Sequence, residues 1–531
     1  MAQLKRLVIL AHRYLGIAIS LLVVMWFATG VTMMYAGGMP RLSAEMRLER
    51  MPDVDLSRVR LTPAEAAERA GLDPLDESPG RVRLSTLMER PAYRVGTTTV
   101  FADTGDVLED VSPAQGRAIV AKFMRVSDSQ VQHVRTLDRI DQWTLTQSRS
   151  MPLHKFQVDD TDGTEAYVQA SSGEITMLTT RKGRALAWVS TIPHWMYFVA
   201  LRENQPLWYR IMVWTSAAVC LLAVLGLVLS VTQFKRVRPF KLANAIPYSG
   251  WMRWHYVTGA VFGVFTLTWA FSGLLSMEPF EWTNARGLEV SRDVFTGGPA
   301  NLSKFAAMEP ATWRRVLDGR GIKEVDFVRI LDDHYYVVRQ TPAAHVADPR
   351  PERLHQPYYI TGRAEPERVL VNAATLETRQ EGFRPEAFIA RLKQELPDES
   401  MVAADLLFEY DSYYYSRGRQ KPLPVLRVQF ADAAQTWFYV DTEMGQVLAS
   451  IPRLARVERW LYNGLHSLDF AFWYDTRPLW DIGMLVLLAG GMLSSSFGLV
   501  MGLKRLRRNA ARAAKSIVET PVGQEQPVAR S

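Results

Sequence analysis

The sequence predicts a membrane α-helical protein in which four transmembrane helices form two tandem two-helix units, each with an α+β domain outside the bilayer. Four long apolar runs predict the helices. Repeated motifs predict a tandem duplication of roughly residues 1–235 and 250–505. Strand–turn–strand patterns in the polar segments between the helices predict the α+β domains.

The apolar runs are long enough to cross a bilayer. Each has 20 or more residues with almost no charge, which spans a hydrocarbon core of about 30 Å. The first run is too long for a cleaved signal peptide, and no small-residue cleavage site follows it directly, so we expect a retained helix. The four runs are Leu7–Tyr35, Trp208–Phe234, Trp251–Met277 and Leu479–Leu503.

Basic residues beside these runs predict the orientation of the chain. Lys5 and Arg6 precede the first run, a basic linker joins the second run to the third, and Lys504 and Arg505 follow the fourth. Short basic segments stay in the cytoplasm, so we expect both termini and the linker inside and the two long polar segments outside. The bilayer accounts in this way for most of the net charge of +7, and nucleic-acid binding is not expected.

The predicted organisation has eight parts. They are a first helix (1–35), a first outer domain (36–183), an interfacial segment with the second helix (184–234), a cytoplasmic linker (235–250), a third helix (251–277), a second outer domain (278–455), an interfacial segment with the fourth helix (456–503), and a basic cytoplasmic tail (504–531).

The same histidine-headed helix occurs twice. HRYLGIAISLLVVMWFATG begins at His12 and HYVTGAVFGVFTLTWAFSG at His255, and both have Gly fifth, Trp fifteenth and Gly nineteenth. Later segments correspond with an offset of 272 residues, and there His194 matches His466. Repeats with an even number of helices are parallel and are related by an axis along the membrane normal.

The outer segments contain signals for small sheets covered by a helix. In LTPAEAAERAGL (61–72), Thr62 and Glu65 have the spacing of a helix capping box. Three segments read apolar, turn, apolar, which indicates strands joined by tight turns. These segments are VFADTGDVL (100–108), YVQASSGEI (167–175) and FYVDTEMGQVL (438–448).

The single cysteine, Cys220, limits the possible redox chemistry. It excludes disulfides within the chain, a C-x-x-C-H haem attachment site and a cysteine-ligated iron–sulfur cluster. The sequence also contains no G-x-x-x-x-G-K-[ST] loop and no credible dinucleotide-binding unit. Electron chemistry would therefore need a cofactor held by other residues and a separate electron donor.

Four motifs carry a family resemblance: HRYLGI, the W-x3-G at the end of the same helix, TPAEAAERA, and the Y/F-x-D-x-x-x-G-x-V-L-like strands. Together they resemble the PepSY-associated transmembrane family over residues 5 to about 505. The resemblance implies PepSY-like periplasmic domains and a multi-pass protein of the bacterial inner membrane. It also implies iron-regulated function, since some members are ferrisiderophore reductases that carry b-type haem. Other proteins with PepSY domains resemble peptidase propeptides and act as inhibitors.

Four of the nine histidines form two repeat-related pairs in or beside the apolar runs. Haem iron without cysteine attachment is commonly held by neutral imidazole, and ionisable residues in membranes indicate function. His12 and His255 lie near the cytoplasmic basic residues, whereas His194 and His466 precede the second and fourth helices on the outer side. Depth therefore pairs His12 with His255 and His194 with His466, as the axial ligands of two haems b.

Other interpretations of these residues stay open. A histidine at a helix start also serves as an interfacial anchor, and the outer pair is the weaker one. Gly16 and Gly259 either pack helices or let a macrocycle approach. FEYDSYYY (408–415), in a longer insertion that reaches residue 422, has three interpretations: an alternating strand, an aromatic surface for a planar or catecholate ligand, or a site at which its Asp and Glu bind a ferric ion. The remaining histidines are expected on the surface: His133, His154, His334, His345 and His355.

Two functions are compatible with these observations. In the first, the chain is a haem-dependent ferric-chelate reductase that takes electrons from a cytoplasmic donor or quinol to a periplasmic acceptor, for which the resemblance favours a ferric siderophore. Reduction to Fe(II) weakens the hold of hard oxygen ligands on iron. In the alternative, the chain is a sensor or binding protein whose PepSY-like domains regulate a periplasmic peptidase or peptide without redox activity.

Overall fold

A computed structural model describes residues 2–518 apart from 37, 74–80, 236–241, 284–286, 292, 341–367, 380 and 416–420. Its helices are α1 Ala2–Ala36, α2 Ala44–Arg50, α3 Pro63–Arg69, α4 Pro113–Met124, α5 Arg181–Val189, α6 Thr191–Trp195, α7 Val199–Arg202, α8 Gln205–Thr232, α9 Leu242–Ala245, α10 Gly250–Leu275, α11 Pro310–Val316, α12 Pro385–Glu395, α13 Arg453–Arg459, α14 Leu465–Ser467, α15 Ala471–Tyr474 and α16 Leu479–Val518. A π-helical turn, Trp460–Gly464, links α13 to α14.

The strands form three antiparallel sheets. They are β1 Val82–Leu87, β2 Arg90–Val95, β3 Thr98–Phe101, β4 Val131–Leu137, β5 Leu153–Val158, β6 Glu165–Gln169, β7 Ile175–Thr179, β8 Ile322–Ile330, β9 Asp333–Gln340, β10 Arg368–Asn372, β11 Thr378–Arg379, β12 Met401–Leu407, β13 Val425–Phe430, β14 Trp437–Asp441 and β15 Gln446–Ile451.

Four of the helices, α1, α8, α10 and α16, are long and apolar enough to cross a membrane. They pack in the ring order α1–α8–α10–α16, so that α1 and α10 lie across the bundle from each other. Adjacent glycines let α16 approach both of them, because a Cβ at Gly490 or Gly491 would lie 2.4 Å from the ring of Phe262 or Phe27. The chain is therefore a multi-pass membrane protein, as the apolar runs predict.

The fourth membrane helix does not end with its apolar run. The sequence places the end of the run at Leu503, but α16 continues as one helix to Val518. Lys504 stays close to the bundle, with its ammonium 5.0 Å from the ring centroid of Trp251. The first part of the basic tail is thus a direct extension of the membrane helix.

A seven-stranded sheet joins the two outer segments. Its order is β11-β10-β9-β8-β1-β2-β3, so that β1 of the first segment pairs directly with β8 of the second. Leu84 lies opposite Val325 at the centre of this antiparallel pair. The segments 36–183 and 278–455, which the sequence analysis separates, therefore share one sheet and one hydrophobic core.

Each outer segment also has a four-stranded sheet of its own. The order is β4-β5-β6-β7 in the first segment and β12-β13-β14-β15 in the second. Phe123 of α4 packs on the first sheet and Phe388 of α12 on the second. The tight turns that follow β6 and β14 contain Gly173 and Gly445, at φ of 69° and 59°. Glycine favours this left-handed conformation because it has no Cβ, and the strand–turn–strand predictions for 167–175 and 438–448 are confirmed. In the third predicted segment, 100–108, the turn after β3 is followed only by a single bridge between Val100 and Val107.

The tyrosine-rich segment is not an alternating strand. β12 ends at Leu407, and the residues that follow it form bends. Tyr414 is fully buried and stacks on Tyr439 with ring centroids 5.1 Å apart and an angle of 11°. Asp411 holds this arrangement by accepting a hydrogen bond of 2.8 Å from the Tyr439 hydroxyl. Residues 416–420 of the insertion lie outside the described part of the chain.

Buried ion pairs join β1 to β8. Glu324 and Asp326 are only 1% and 2% exposed, and Arg83 bonds both, at 3.1 and 2.9 Å. Arg47 adds a two-pronged bond to Glu324, and Arg339 contacts Asp326. Burial by itself would raise the pKa of Asp326, but the arginine hydrogen bonds and charges hold that pKa well below its usual value. Asp326 is therefore ionised, and the ion pairs of both carboxylates bind the two outer segments together.

We expect Asp326→Ala to lower the free energy of unfolding by about 3 kcal/mol, because removing one partner leaves buried charges without compensation. Thermal unfolding of the protein in detergent, followed by near-ultraviolet circular dichroism, measures the change. Glu89→Gln is the matched control, since the Glu89–Lys122 pair is exposed on both sides and its loss should leave the midpoint unchanged. Equal midpoints for the two variants would contradict a joining role for these ion pairs.

Candidate functional site

The inner histidine pair lies at the end of the bundle that carries Lys5 and Arg6. His12 of α1 and His255 of α10 face each other with ring centroids 6.1 Å apart and an angle of 39° between the ring planes. The Nδ1 atom of His12 lies 3.1 Å from the backbone oxygen of Leu222, and that of His255 lies 2.9 Å from the backbone oxygen of Ser494. Because a carbonyl only accepts, each Nδ1 carries the proton and each Nε2 keeps a free lone pair.

The outer pair has the same spacing and a different angle. His194 of α6 and His466 of α14 have ring centroids 6.3 Å apart, with the ring planes at 84°. The partners of their Nδ1 atoms are hydroxyl groups, Thr29 for His194 and Ser272 for His466, each at 2.9 Å. Both hydroxyls belong to buried side chains on the membrane helices α1 and α10.

The direction of these outer hydrogen bonds follows from the other contacts of the hydroxyls. Thr29 donates to the carbonyl of Met25 at 2.8 Å, and Ser272 donates to the carbonyl of Trp269 at 3.0 Å. Since each hydroxyl has one proton, its oxygen must accept from the histidine Nδ1–H. All four histidines thus share one tautomer, and among the described residues the Nε2 atoms have no hydrogen-bond partner.

The outer imidazoles are neutral. Burial, followed by the nearby His466, lowers the pKa of His194 to about 3, and burial lowers the pKa of His466 to about 4. Both values lie below that of a solvated histidine, because the surrounding helices remove the water that would stabilise the charged ring. Neutral imidazole is the form that binds metals.

Glycines on the neighbouring helices leave room for the two inner rings and lie beside the two outer ones. A Cβ at Gly226 or Gly498 would lie 2.9 Å or 3.3 Å from the Cε1 atom of His12 or His255. At the outer pair, a Cβ at Gly30 or Gly273 would lie 3.7 or 3.8 Å from the Cε1 atom of His194 or His466, which is ordinary van der Waals contact. Gly16 and Gly259, for which the sequence left helix packing or approach of a macrocycle open, face residues of neighbouring helices: a Cβ at Gly16 would lie 3.7 Å from Leu222, and one at Gly259 would lie 3.4 Å from Ser494.

The segments that carry the outer histidines have matching local geometry. Met196 and Leu468, each two residues after a histidine, are left-handed at φ of 51° and 48°. The indoles of Trp208 and Trp480 donate to backbone carbonyls of these segments at 2.9 and 3.1 Å. These contacts hold each histidine segment over the outer end of the helix that follows it.

An apolar core lies between the two pairs. From His12 to Thr29, the residue that bonds to His194, α1 rises about 26 Å at 1.5 Å per residue. The two histidine pairs therefore lie near opposite ends of the helix bundle. The core between them includes Phe27, whose ring lies 5.7 Å from that of Trp269. Its fully packed members are Val23, Phe27, Val219, Trp480, Met484 and Leu488.

The spacing of both pairs fits one metal between two imidazoles. Two rings that bind one metal from opposite sides, with metal–nitrogen bonds of about 2 Å, have centroids about 6 Å apart. Among the described residues, no group of three or more His, Cys, Asp or Glu side chains is placed to hold a metal ion. An iron in either position would therefore take its remaining ligands from a non-protein group, as a porphyrin provides.

The other described histidines make different contacts. His154 is not on the surface, as the sequence analysis expected, but is 6% exposed, with Nε2 bonded to Val111 and Nδ1 to Thr136. His334 accepts a backbone hydrogen bond from Asn301 at 3.0 Å. His133 is half-buried beside His154, at 5.8 Å between ring centroids. His345 and His355 lie outside the described residues.

Sequence reasoning missed Thr29 and Ser272, although a signal for them exists. Each directly precedes the last glycine of the repeated helix motif, Gly30 in the first copy and Gly273 in the second. One residue is threonine and the other is serine, but both carry a hydroxyl. The side-chain chemistry, but not the residue type, is thus repeated. A search for shared hydroxyls at corresponding positions would have found them.

Comparison with known protein families gives a match that covers most of the chain. The model of the family described as the PepSY-associated TM region matches residues 9–505. This match confirms the resemblance drawn from the sequence motifs. No curated protein matches the chain.

Proposed function

The chain belongs to the PepSY-associated transmembrane family, and we propose that it is a b-type haem protein that transfers electrons across the bacterial inner membrane to a ferric siderophore in the periplasm. The observation that carries this proposal is the presence of two histidine pairs with ring centroids 6.1 and 6.3 Å apart. In both pairs the Nδ1 atoms are occupied by hydrogen bonds, which leaves the Nε2 atoms for a metal.

Four histidines would hold the cofactors. We assign His12 and His255 to one haem b and His194 and His466 to a second. Haem iron, when bound, supplies one-electron chemistry near each face of the membrane. The protein supplies neutral imidazoles, and the hydrogen bonds on Nδ1 fix the tautomer and increase the basicity of the ligand nitrogen.

A tandem duplication explains why each pair has one histidine from each half of the chain. The recurring motifs, the matching geometry at Met196 and Leu468, and the central pairing of β1 with β8 support it. An axis along the membrane normal would then relate the halves and pass between the members of both histidine pairs. The outer parts of the two halves are the PepSY-like domains in this proposal.

The outer pair is the proposed exit for electrons. One electron per ion reduces Fe(III) to Fe(II), and hard oxygen ligands such as those of siderophores hold Fe(II) less strongly. The electron comes from a separate cytoplasmic donor or from quinol. The apolar core between the histidine pairs excludes water from the path across the membrane.

We expect the termini in the cytoplasm and the sheets in the periplasm, because the short basic segments lie at one end of the helices. Alkaline phosphatase fused after residue 120 should be active, and the same enzyme fused after residue 243 should be inactive. Green fluorescent protein at these two positions should give the opposite result. Active phosphatase at 243 together with inactive phosphatase at 120 would reverse the orientation and the assignment of inner and outer pairs.

The visible spectrum of the purified protein tests the proposed function. Dithionite-reduced protein should show the sharp bands of haem b at two haems per chain. Stopped-flow mixing with ferric siderophores should then reoxidise the haem quickly. A stoichiometrically haem-free protein would refute the redox function and favour the sensor or binding function. A haem protein that no ferric chelate oxidises would refute the siderophore assignment alone.

A further inference from the structure

The two histidine pairs differ in the angle between their rings. The inner rings are inclined by 39° and the outer rings are nearly perpendicular at 84°. In low-spin ferric haem with two imidazole ligands, this angle controls the splitting of the iron d orbitals. Perpendicular planes give a highly anisotropic electron paramagnetic resonance signal, whereas more nearly parallel planes give a rhombic one. Perpendicular planes also favour the ferrous state, which raises the reduction potential.

The pairs also differ in what accepts the Nδ1–H bond. At the inner pair the acceptors are backbone carbonyls, of Leu222 and Ser494. At the outer pair they are the hydroxyl oxygens of Thr29 and Ser272. The Nδ1 atoms of the outer rings therefore depend on two side-chain hydroxyls, which a substitution can remove, whereas the inner rings bond to the backbone.

The outer hydroxyls are held firmly enough to set a ring orientation. Ser272 is 0% exposed and Thr29 is 5% exposed. Each is anchored to its own helix by the bond that it donates to a carbonyl in the preceding turn. The backbone of both histidines is fixed as well, since the Trp269 indole donates to the carbonyl of His466 at 2.9 Å and the backbone N–H of His194 donates to the carbonyl of Ser190 at 3.1 Å. With one ring atom and the backbone fixed, the plane of the imidazole has little freedom.

Resting on the proposed haem function, the geometry points to Thr29 and Ser272 as positioning residues that hold the outer imidazoles perpendicular. They thereby give the outer iron a higher reduction potential than the inner iron. Electron transfer from the inner to the outer site is then downhill, towards the periplasm. The residues do not touch the iron and act only through His194 and His466.

Electron paramagnetic resonance of the oxidised full-length protein in detergent tests this inference. The wild type should give one rhombic low-spin signal and one highly anisotropic signal at lower field, and the second should belong to the haem with the higher midpoint potential. Thr29→Val and Ser272→Ala should move the low-field signal and the midpoint potential of that haem only. Thr29→Ser should show the low-field signal and the midpoint potential of the wild type, because serine keeps the hydroxyl.

Thr215→Val is the matched control. Thr215 donates to the carbonyl of Ile211 at 2.6 Å, in the same way as Thr29 in its own helix, but no histidine of the described part of the chain bonds to it. This variant should leave both signals unchanged. If Thr29→Val loses the outer haem, recovery of that haem in Thr29→Ser would support the positioning role, and loss in both variants would overturn it.

Other outcomes separate this inference from the proposed function. A wild-type protein with two haems but two rhombic signals would overturn the perpendicular arrangement and leave haem binding intact. Unchanged signals and potentials in both hydroxyl variants would overturn the role of Thr29 and Ser272. Absence of any low-spin haem signal in the wild type would refute the proposed function itself.

Discussion

His12→Ala should lower the haem content of the purified protein from two haems per chain to one, and His255→Ala should remove the same haem. The reason is that the two rings face one position, with centroids 6.1 Å apart. Loss of either imidazole would leave an iron at that position with only one protein ligand. A pyridine haemochrome assay measures the content, and reduced-minus-oxidised spectra identify which haem is lost.

His133→Ala is the matched control for these variants. His133 is a partly exposed histidine of β4 that belongs to neither pair, so two haems should remain. If His12→Ala and His255→Ala lose haems with different spectra, the pairing across the bundle is wrong, even though haem is bound. If both variants keep two haems, the inner assignment fails altogether.

His466→Ala should separate the two halves of the proposed reaction. The inner haem should still be reducible from the cytoplasmic side, whereas reoxidation by an external ferric chelate should slow by at least about 100-fold. This exceeds the effect of about 10–100-fold that is typical when an outer-shell partner of a metal site is lost. Stopped-flow absorbance after mixing dithionite-reduced protein with a ferric siderophore provides the rates.

His334→Ala is the matched control for the proposed electron exit at the outer pair. His334 also lies in an outer segment, but the described contacts of its ring nitrogens include only a hydrogen bond from the backbone of Asn301. Its reoxidation rate should equal that of the wild type. An equally fast rate for His466→Ala would mean that the outer pair is not the exit. His194→Ala should behave as His466→Ala does, because both rings face the same position.

The membrane helices and the depth of the histidines could be read from the sequence because both are local properties. Hydropathy is summed over about 20 neighbouring residues. The depth of His12 follows from its distance to Lys5 and Arg6, counted along one helix at about 1.5 Å per residue. The strand–turn–strand segments are equally local, since a tight turn with glycine at its end brings the two strands together.

Contacts between distant parts of the chain were decided by the tertiary structure. Leu84 pairs with Val325 in the shared sheet, and neither strand carries a signal that specifies its partner. The tyrosine-rich segment resembles a strand in composition, yet it bends at residues 412–414 and Tyr414 stacks on Tyr439, whose hydroxyl donates to Asp411. Burial of aromatic surface against a distant strand outweighs a local strand preference.

The sequence by itself determined four membrane helices, the motifs of a duplication and two pairs of histidines at two depths. Only the tertiary structure decided the angles of 39° and 84° between the rings. The tertiary structure also decided which groups accept the Nδ1–H bonds. At the outer pair the acceptors are the hydroxyls of Thr29 and Ser272. At the inner pair they are backbone carbonyls. The physical reason is that a ring plane depends on side-chain torsions, and atoms of other helices determine these torsions once the bundle is packed.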